Sequence, residues 1–450
     1  MNLTFCGATE GVTGSNFLVE TDNGTKFIVD CGLFQGDEQS ENKNWQDFSY
    51  DPKQVAFVLV THSHIDHIGR LPKLCRDGFR GFIHSTEPAA GFANIFLQDT
   101  RKIMQDEAQD KGLPELFSDQ DVKNATSRFK THKYHEIFEP ASGIKVSFFD
   151  AGHILGSAFI LVEADGKKIV FSGDLGNPPV PILQNTEALP PADYLVCEST
   201  YGDRLHEKSD LRLQKLERII EQSISKNGVI LMPSFAMERT QEILYELNDL
   251  ISNNRIRQIP IFIDSPLAIK ATEIYRQYPE YFDKEAKEII KEGRDFFDFP
   301  GLKMIKNKQE SKDLDKNISA KIIIAGSGMS TGGRILFHER RFLPEPTTTL
   351  VIVGFQVRGT LGRALNEGEK KVKILGEEVE VQATVREISS YSAHADQAKL
   401  KFWVAQGKEY LQEIFLVHGE QTAKETLKNK IEAETGLKTT IPEPNQRYQL

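Results

Sequence analysis

The segment Thr61-His62-Ser63-His64-Ile65-Asp66-His67-Ile68-Gly69 constrains this chain more than any other. It puts three imidazoles and one carboxylate within six residues. The run before it, Val55 to Val60, is apolar and rich in β-branched residues, as a buried strand is. The residues after it, His67 to Cys75, read as a short helix closed near Gly78. The ligand-type side chains therefore fall where a strand ends and a helix begins. Stiff backbone on one side and a sharp turn on the other let neighbouring side chains address different sides of a metal pair. Imidazole nitrogen and carboxylate oxygen are the donors that zinc takes at about 2.0–2.2 Å.

At 450 residues the chain exceeds one ordinary core, so two domains are expected. No apolar run approaches the roughly 18 residues of a membrane span. The N-terminus opens on the strand-like Leu3-Thr4-Phe5 rather than on a secretory leader. Cys6, Cys31, Cys75 and Cys197 form no Cys-x-x-Cys pair and read as reduced thiols of a cytoplasmic protein. The net charge of −10 excludes a non-specific nucleic-acid coat, which would be basic. A polyanionic substrate would need a local basic patch and metal to hold it.

Along the chain, the residues up to about Tyr50 read as β-hairpins with a turn at Asp22-Asn23-Gly24. Pro88–Lys111 and Asp119–Phe129 read as an outer pair of helices. A single pattern then recurs: an apolar strand ending at His, Asp or Glu near glycine. It delivers His153, Asp174 and Glu198 in turn. From Leu211 the rhythm changes to four apolar strands, near residues 228–234, 259–265, 321–327 and 349–355, alternating with helices. Such alternation indicates a parallel sheet covered on both faces. After Gly376 strand character returns, and His394 and His418 arrive in the earlier pattern. A domain inserted between two parts of one site explains this order. The boundaries drawn are 1–204 for the first part, 205–376 for the insert and 377–450 for the completing part.

The insert's strand ends offer a second surface. Ser234, Ser265, the loop from Gly326 through Ser327 and Ser330 to Arg334, and Arg358 and Arg363 all follow apolar strands. Ligands bind at the carboxyl ends of parallel strands, and glycine-loop N–H groups and arginine forks suit phosphate. These residues are the candidates for substrate phosphate. A tight crossover turn without ligand is the alternative for the glycine-rich loop, which lacks the Gly-Lys-Ser/Thr of a Walker motif.

The motif His62-Ser63-His64-Ile65-Asp66-His67, with His153 and Asp174, resembles the metallo-β-lactamase superfamily. Glu198, Ser392-Ala393-His394-Ala395-Asp396 and Leu416-Val417-His418-Gly419-Glu420 resemble the further motifs of its β-CASP branch, which contains RNA and DNA nucleases. The resemblance covers nearly the whole chain. It implies an α/β fold: an αββα sandwich with an inserted parallel α/β domain. It implies two zinc ions, one held by His62, His64 and His153, the other by Asp66, His67 and His418, with Asp174 bridging. Asp30 would orient a ligand histidine, His394 would act as acid at the leaving oxygen, and Glu198 would orient His394. The activity implied is zinc-dependent hydrolysis of single-stranded RNA by hydroxide attack, internally or from the 5′ end, in RNA processing or degradation. The RNA preference rests on the histidine in the last motif, His418, and on Gly7 to Ser15, which resembles the start of the RNA-processing members. That stretch reads equally as a glycine-rich turn between two strands. A DNA nuclease of the same branch, and a non-nuclease hydrolase on the same scaffold, remain alternatives. A di-iron, flavin-linked relative would carry a carboxylate where this chain has His64.

Overall fold

The computed structural model describes residues 1–207, 211–316, 319–354, 356–357 and 359–450. It divides into two compact units. The first comprises Met1–Pro178, Leu183–Leu205 and His394–Leu450; the second comprises Pro179–Ile182 and His206–Ala393. The second unit thus runs beyond Gly376, where sequence patterning placed its end. The reason is the strand Thr384–Glu387, which pairs in parallel with Thr349–Ile352 at the edge of the second unit's sheet.

The first unit has four layers. One seven-stranded sheet runs in the order Arg447–Gln449, Asn2–Phe5, Phe17–Glu20, Lys26–Val29, Val55–Leu59, Phe82–Ser85, Phe129–Thr131. The other runs Thr439–Thr440, Glu413–Val417, Tyr194–Glu198, Lys167–Phe171, Ala158–Ala164, Ile144–Asp150, Phe138–Ala141. Alternate residues of both sheets, among them Phe5, Phe27, Phe57, Phe148, Ile160 and Phe171, fill one core between them. Phe27 and Phe57 stack with ring centroids 4.7 Å apart. Burying each such side chain stabilises the fold by roughly 1.5–3 kcal/mol. The opposite residues, such as Ile28, Val58 and Ile83, face the helices Leu71–Arg76, Glu87–Lys111 and Asp119–Thr126. The helices Gln397–Ala405 and Gln421–Thr435 cover the outer face of the second sheet. The outer helical pair is therefore part of the packing: Ala93, Leu97 and Met104 are buried.

The helix expected from His67 to Cys75 is two, Ile65–Ile68 and Leu71–Arg76. Pro72 sits in the first turn of the second, where its missing N–H costs nothing.

The second unit holds a six-stranded sheet, Leu302–Met304, Ile261–Ile263, Lys321–Ala325, Val229–Pro233, Thr349–Ile352, Thr384–Glu387, all of whose pairings are parallel. The two strands beyond the expected four are its edges. Their sequences are half polar because an edge buries less, and so they lack the continuous apolar signal. A hairpin, Lys371–Ile374 with Glu377–Glu380, completes the unit.

Strand direction explains where the chemistry collects. In the first sheet Lys26–Val29 and Val55–Leu59 are parallel, so Asp30 and Thr61-His62 emerge together. In the second, Lys167–Phe171, Tyr194–Glu198 and Glu413–Val417 are parallel, so Asp174, Glu198 and His418 emerge together. Ile144–Asp150 joins them after two antiparallel pairings and brings His153. Among the described residues no helix is long and apolar enough to cross a membrane.

Candidate metal centre and its supports

Three overlapping groups of ligand atoms form within the first unit: His62, His64, His153 and Asp174; Asp66, His67, Asp174 and His418; and Asp174, Glu198 and His394. Asp174 belongs to all three. Its Oδ2 lies 3.4 Å from His62 Nε2 and 3.6 Å from His153 Nε2, and its Oδ1 lies 3.3 Å from His67 Nε2. Asp174 Oδ1 is buried without a hydrogen-bond partner. A buried carboxylate oxygen left in that state is costly unless something cationic meets it.

Supporting groups orient the imidazoles. Thr61 Oγ1 donates to Asp30 Oδ2 at 2.8 Å, so at 3.1 Å it accepts from His62 Nδ1. The Nε2 of His62 is then unprotonated and faces His64 Nδ1 at 3.1 Å. His67 Nδ1 donates to Asp30 Oδ2 at 2.7 Å, which turns its Nε2 toward His418 Nε2, 3.3 Å away. Thr200 Oγ1, 3.2 Å from His418 Nδ1, holds that ring from behind. His153 Nε2 lies 3.2 Å from His64 Nδ1. Ring nitrogens converging at 3.1–3.3 Å, around carboxylate oxygens, are the donor set of a metal site with its supporting shell. The residues present therefore fit zinc.

Electrostatics agree. Burial, helped by His67, pushes His62 down to about 3, and burial pushes His64 down to about 4. His153 is likewise held well below the ordinary histidine range. These imidazoles are neutral at pH 7, the form that binds metal. At His67 burial is overruled by Asp174, Asp30 and Asp66, which raise its pKa well above the ordinary value. Three carboxylates about one buried ring mark a place that demands positive charge. For Asp174 and Asp66 burial is likewise outweighed by the imidazoles, and both stay ionised.

His394 stands to one side. Its Nδ1 lies 3.2 Å from Glu198 Oε2 and 3.8 Å from Asp174 Oδ2. Burial opposes its cation, but Glu198 and Asp174 outweigh it and raise the pKa to about 9. Glu198 is fixed in turn by the Leu175 N–H, which donates to Oε1 at 2.5 Å.

Two turns at the site are held in left-handed backbone, that of the supporting Asp30 at φ 59° and that of His418 at φ 50°. Such residues persist where neighbours over-determine them. The Asp30 N–H donates to the Leu59 carbonyl at 2.8 Å, and the His418 N–H to Ala8 at 2.7 Å. Gly32 is required beside them, because a Cβ there would stand 1.5 Å from the Asp66 carbonyl oxygen.

The structure thus brings together His62, His64, Asp66, His67, His153, Asp174, Glu198, His394 and His418. Among the phosphate candidates, the strand ends Ser234, Ser265 and Gly326 are neighbours: a Cβ on Gly326 would meet Ser265 Oγ at 3.6 Å and the Ser234 carbonyl at 3.7 Å. Most of the candidate side chains already have partners in their own unit. Ser234 is buried beside Thr240, Ser265 caps the helix Pro266–Gln277, and Ser327 accepts from the Thr331 N–H at 2.9 Å. Ser330 donates to Glu339 at 2.6 Å, Arg334 pairs with Asp264 at 2.5 Å, and Arg363 pairs with Glu367 at 2.6 Å. Arg358 lies outside the described residues.

Sequence reading overlooked Thr61, Thr200 and Asn16, whose Nδ2 donates to the Asp30 carbonyl at 2.8 Å. Thr61 directly precedes His62 at a strand end and Thr200 follows the strand that ends at Glu198, and those positions were the available signal. His338 is fully buried between Asp264 and Asp315, 2.7 Å from each.

Three family models match the chain: a metallo-beta-lactamase superfamily domain at residues 18–187, a Beta-Casp domain at 240–365, and a Zn-dependent metallo-hydrolase RNA specificity domain at 378–442. Ribonuclease TTHA0252 of Thermus thermophilus is 37% identical over 94% of this chain and 94% of its own length. The RNase J-like protein of Methanocaldococcus jannaschii is 31% identical over 93% of this chain and 92% of its own. Transcription termination factor FttA of Pyrococcus abyssi is 30% identical over 98% of this chain and 70% of its own. A crystal structure of a protein of unknown function from Enterococcus faecalis shares the fold at TM-score 0.56 and 11% identity, covering 100% of this chain and 99% of that one.

Proposed function

The chain belongs to the β-CASP ribonuclease branch of the metallo-β-lactamase superfamily, and on that premise we propose that it cleaves single-stranded RNA with two zinc ions. The family membership makes it a metal-dependent hydrolase acting on RNA. The number of ions and the residue roles are our own reading. The observation that carries them is Asp174, one carboxylate common to two groups of ring nitrogens. His62, His64 and His153 would hold one ion and Asp66, His67 and His418 the other, with Asp174 serving both. When bound, such a pair lowers the pKa of water and offsets negative charge at phosphorus.

The remaining chemistry belongs to the chain. Neutral His62, His64 and His153 keep their nitrogen lone pairs available at physiological pH. Asp30 holds His67 in the tautomer that presents Nε2. Asp66 adds its carboxylate to the second group and, as an ionised acceptor, can orient an attacking water. His394, protonated at neutral pH and oriented by Glu198, can give a proton to the leaving ribose oxygen. The segment described as an RNA specificity domain, 378–442, contains both His394 and His418, which favours RNA over DNA.

The test is cleavage of one single-stranded RNA, labelled at each end in turn and offered with 5′-phosphate or 5′-hydroxyl. Wild type should yield products, and the order in which they appear from each label separates internal from 5′-end cleavage. Asp174→Ala should be inactive and remain folded. Undiminished cleavage by that variant would reject the assigned site.

A further inference from the structure

His67 and His418 of the second ligand group stand 351 residues apart in sequence. One loop of the first unit, Gly7 to Ser15, joins their backbones. On one side the His418 N–H donates to the Ala8 carbonyl at 2.7 Å and the Gly419 N–H to the Gly11 carbonyl at 3.2 Å. On the other side the Ser15 N–H donates to the Asp66 carbonyl at 2.9 Å, and the Ser15 carbonyl accepts from the Gly32 N–H at 2.9 Å. Ser15 Oγ stands 3.4 Å from His67 Nε2. The base of the loop is closed: the Cys6 N–H donates to the Asn16 carbonyl at 2.9 Å, and a Cβ on Gly7 would stand 1.9 Å from the Gly14 carbonyl oxygen. These residues form no helix or strand, so the bonds around them set their shape.

The same loop receives a buried amine. Lys424, in the helix Gln421–Thr435, is 1% exposed, and its Nζ donates to the Thr9 carbonyl. Among the described residues no carboxylate forms an ion pair with it. Lysine is almost never fully buried unless paired. Burial pushes its pKa below the ordinary lysine value, against the pull of Glu10 and Glu425. One neutral carbonyl offsets only part of the cost of desolvating an amine, so an apolar side chain would serve packing better at this position. What the amine does reach is Thr9, the neighbour of the residue that accepts from His418. Ala8 at φ 53° and His418 at φ 50° are both left-handed, a conformation that neighbours must hold.

We propose that Lys424 is a positioning residue of the metal centre: by fixing Thr9 it holds the Gly7–Ser15 loop against the His418 turn and so aims the His418 imidazole at Asp66 and His67. This rests on the second ligand group proposed above. Lys424 acts through the loop and not at the reacting atoms. The Gly7–Ser15 stretch thereby has a role beyond that of a turn.

The test is the zinc content of the purified chain after mild chelation, with hydrogen exchange followed on the metal-free chain. Lys424→Met keeps most of the side chain's length and removes the donor. It should retain about one zinc where wild type retains about two, its affinity for the second falling at least about tenfold. His418→Ala should also retain about one, and so should the double variant, because both changes act on the same ion. In the metal-free chain the amides of residues 8–15 and 418–419 should exchange at least about tenfold faster in Lys424→Met, and those around His153 at the wild-type rate. Where Lys424→Met does not fold, Lys424→Gln, whose nitrogen falls one bond short of Thr9, replaces it. The proposal is overturned if the variant keeps both ions at wild-type affinity, if the double variant keeps none, or if exchange at His418 is unchanged. A lysine that only stabilised the fold would release both ions and speed exchange throughout, which overturns it as well. A wild-type chain that itself holds one zinc fails the two-ion reading and this proposal with it, whereas wild-type zinc retention by the variant alone leaves that reading intact.

Discussion

Asp30 Oδ2 lies 2.7 Å from His67 Nδ1, and the same oxygen accepts from Thr61 Oγ1 at 2.8 Å. One carboxylate thereby fixes the tautomer of a proposed ligand and reaches His62 through a hydroxyl. Asp30→Asn keeps the shape but cannot accept both bonds from that atom as a charged group. Supports of this kind are worth roughly 10–100-fold in metal affinity or activity. Zinc content after mild chelation should fall well below wild type, with the circular dichroism spectrum unchanged. Equal zinc retention would show that Asp30 does not orient His67.

His394 is proposed as an acid rather than a ligand. His394→Ala should lower the RNA cleavage rate by roughly 10²–10⁴-fold while zinc content stays at the wild-type level. Loss of zinc would instead make it a ligand.

The pH profile separates Glu198 from His394. A histidine with its pKa raised to about 9 is protonated below that value, so an acid role fades as pH rises through it. Wild type should show that alkaline limb. Glu198→Gln removes the first of the two carboxylates that stabilise the cation, so its limb should move to lower pH. An unshifted limb would disconnect Glu198 from His394.

Glu339 gives the second unit a pH-dependent stability. It is buried, accepts from Ser330 at one oxygen and leaves the other unbonded, and burial lifts its pKa to about 8. Between its ordinary pKa and 8 the folded chain keeps a proton that the unfolded chain has lost. Stability therefore falls as pH rises through that window. Each pKa unit corresponds to about 1.4 kcal/mol. Thermal melts should show Glu339→Gln gaining over wild type at pH 9 and not at pH 5. Parallel curves for the two proteins would refute the assignment.

Much of the centre was legible because each ligand residue ends an apolar strand, and strand direction is written in hydrophobic runs. His62 and His67 stand in one motif, and His394 and His418 carry the same pattern after the insert. What was not legible lies where the signal is short or non-local. Leu302–Met304 is an edge strand of three residues with too little burial to announce itself, and Thr384–Glu387, though strand-like in sequence, does not show which sheet it joins. The division between units follows the second of these, so the expected boundary at Gly376 came too early. Asn16 and Thr61 are unremarkable in sequence, because what sets them apart is a hydrogen bond to Asp30, which only the assembled fold reveals.

The claim that Asp174 serves two ligand groups at once is tested most directly by metal analysis of the purified chain beside Asp174→Ala. The account predicts close to two zinc ions per wild-type chain and loss of both in the variant. One zinc per wild-type chain, iron in place of zinc, or two zinc ions retained by Asp174→Ala would contradict it.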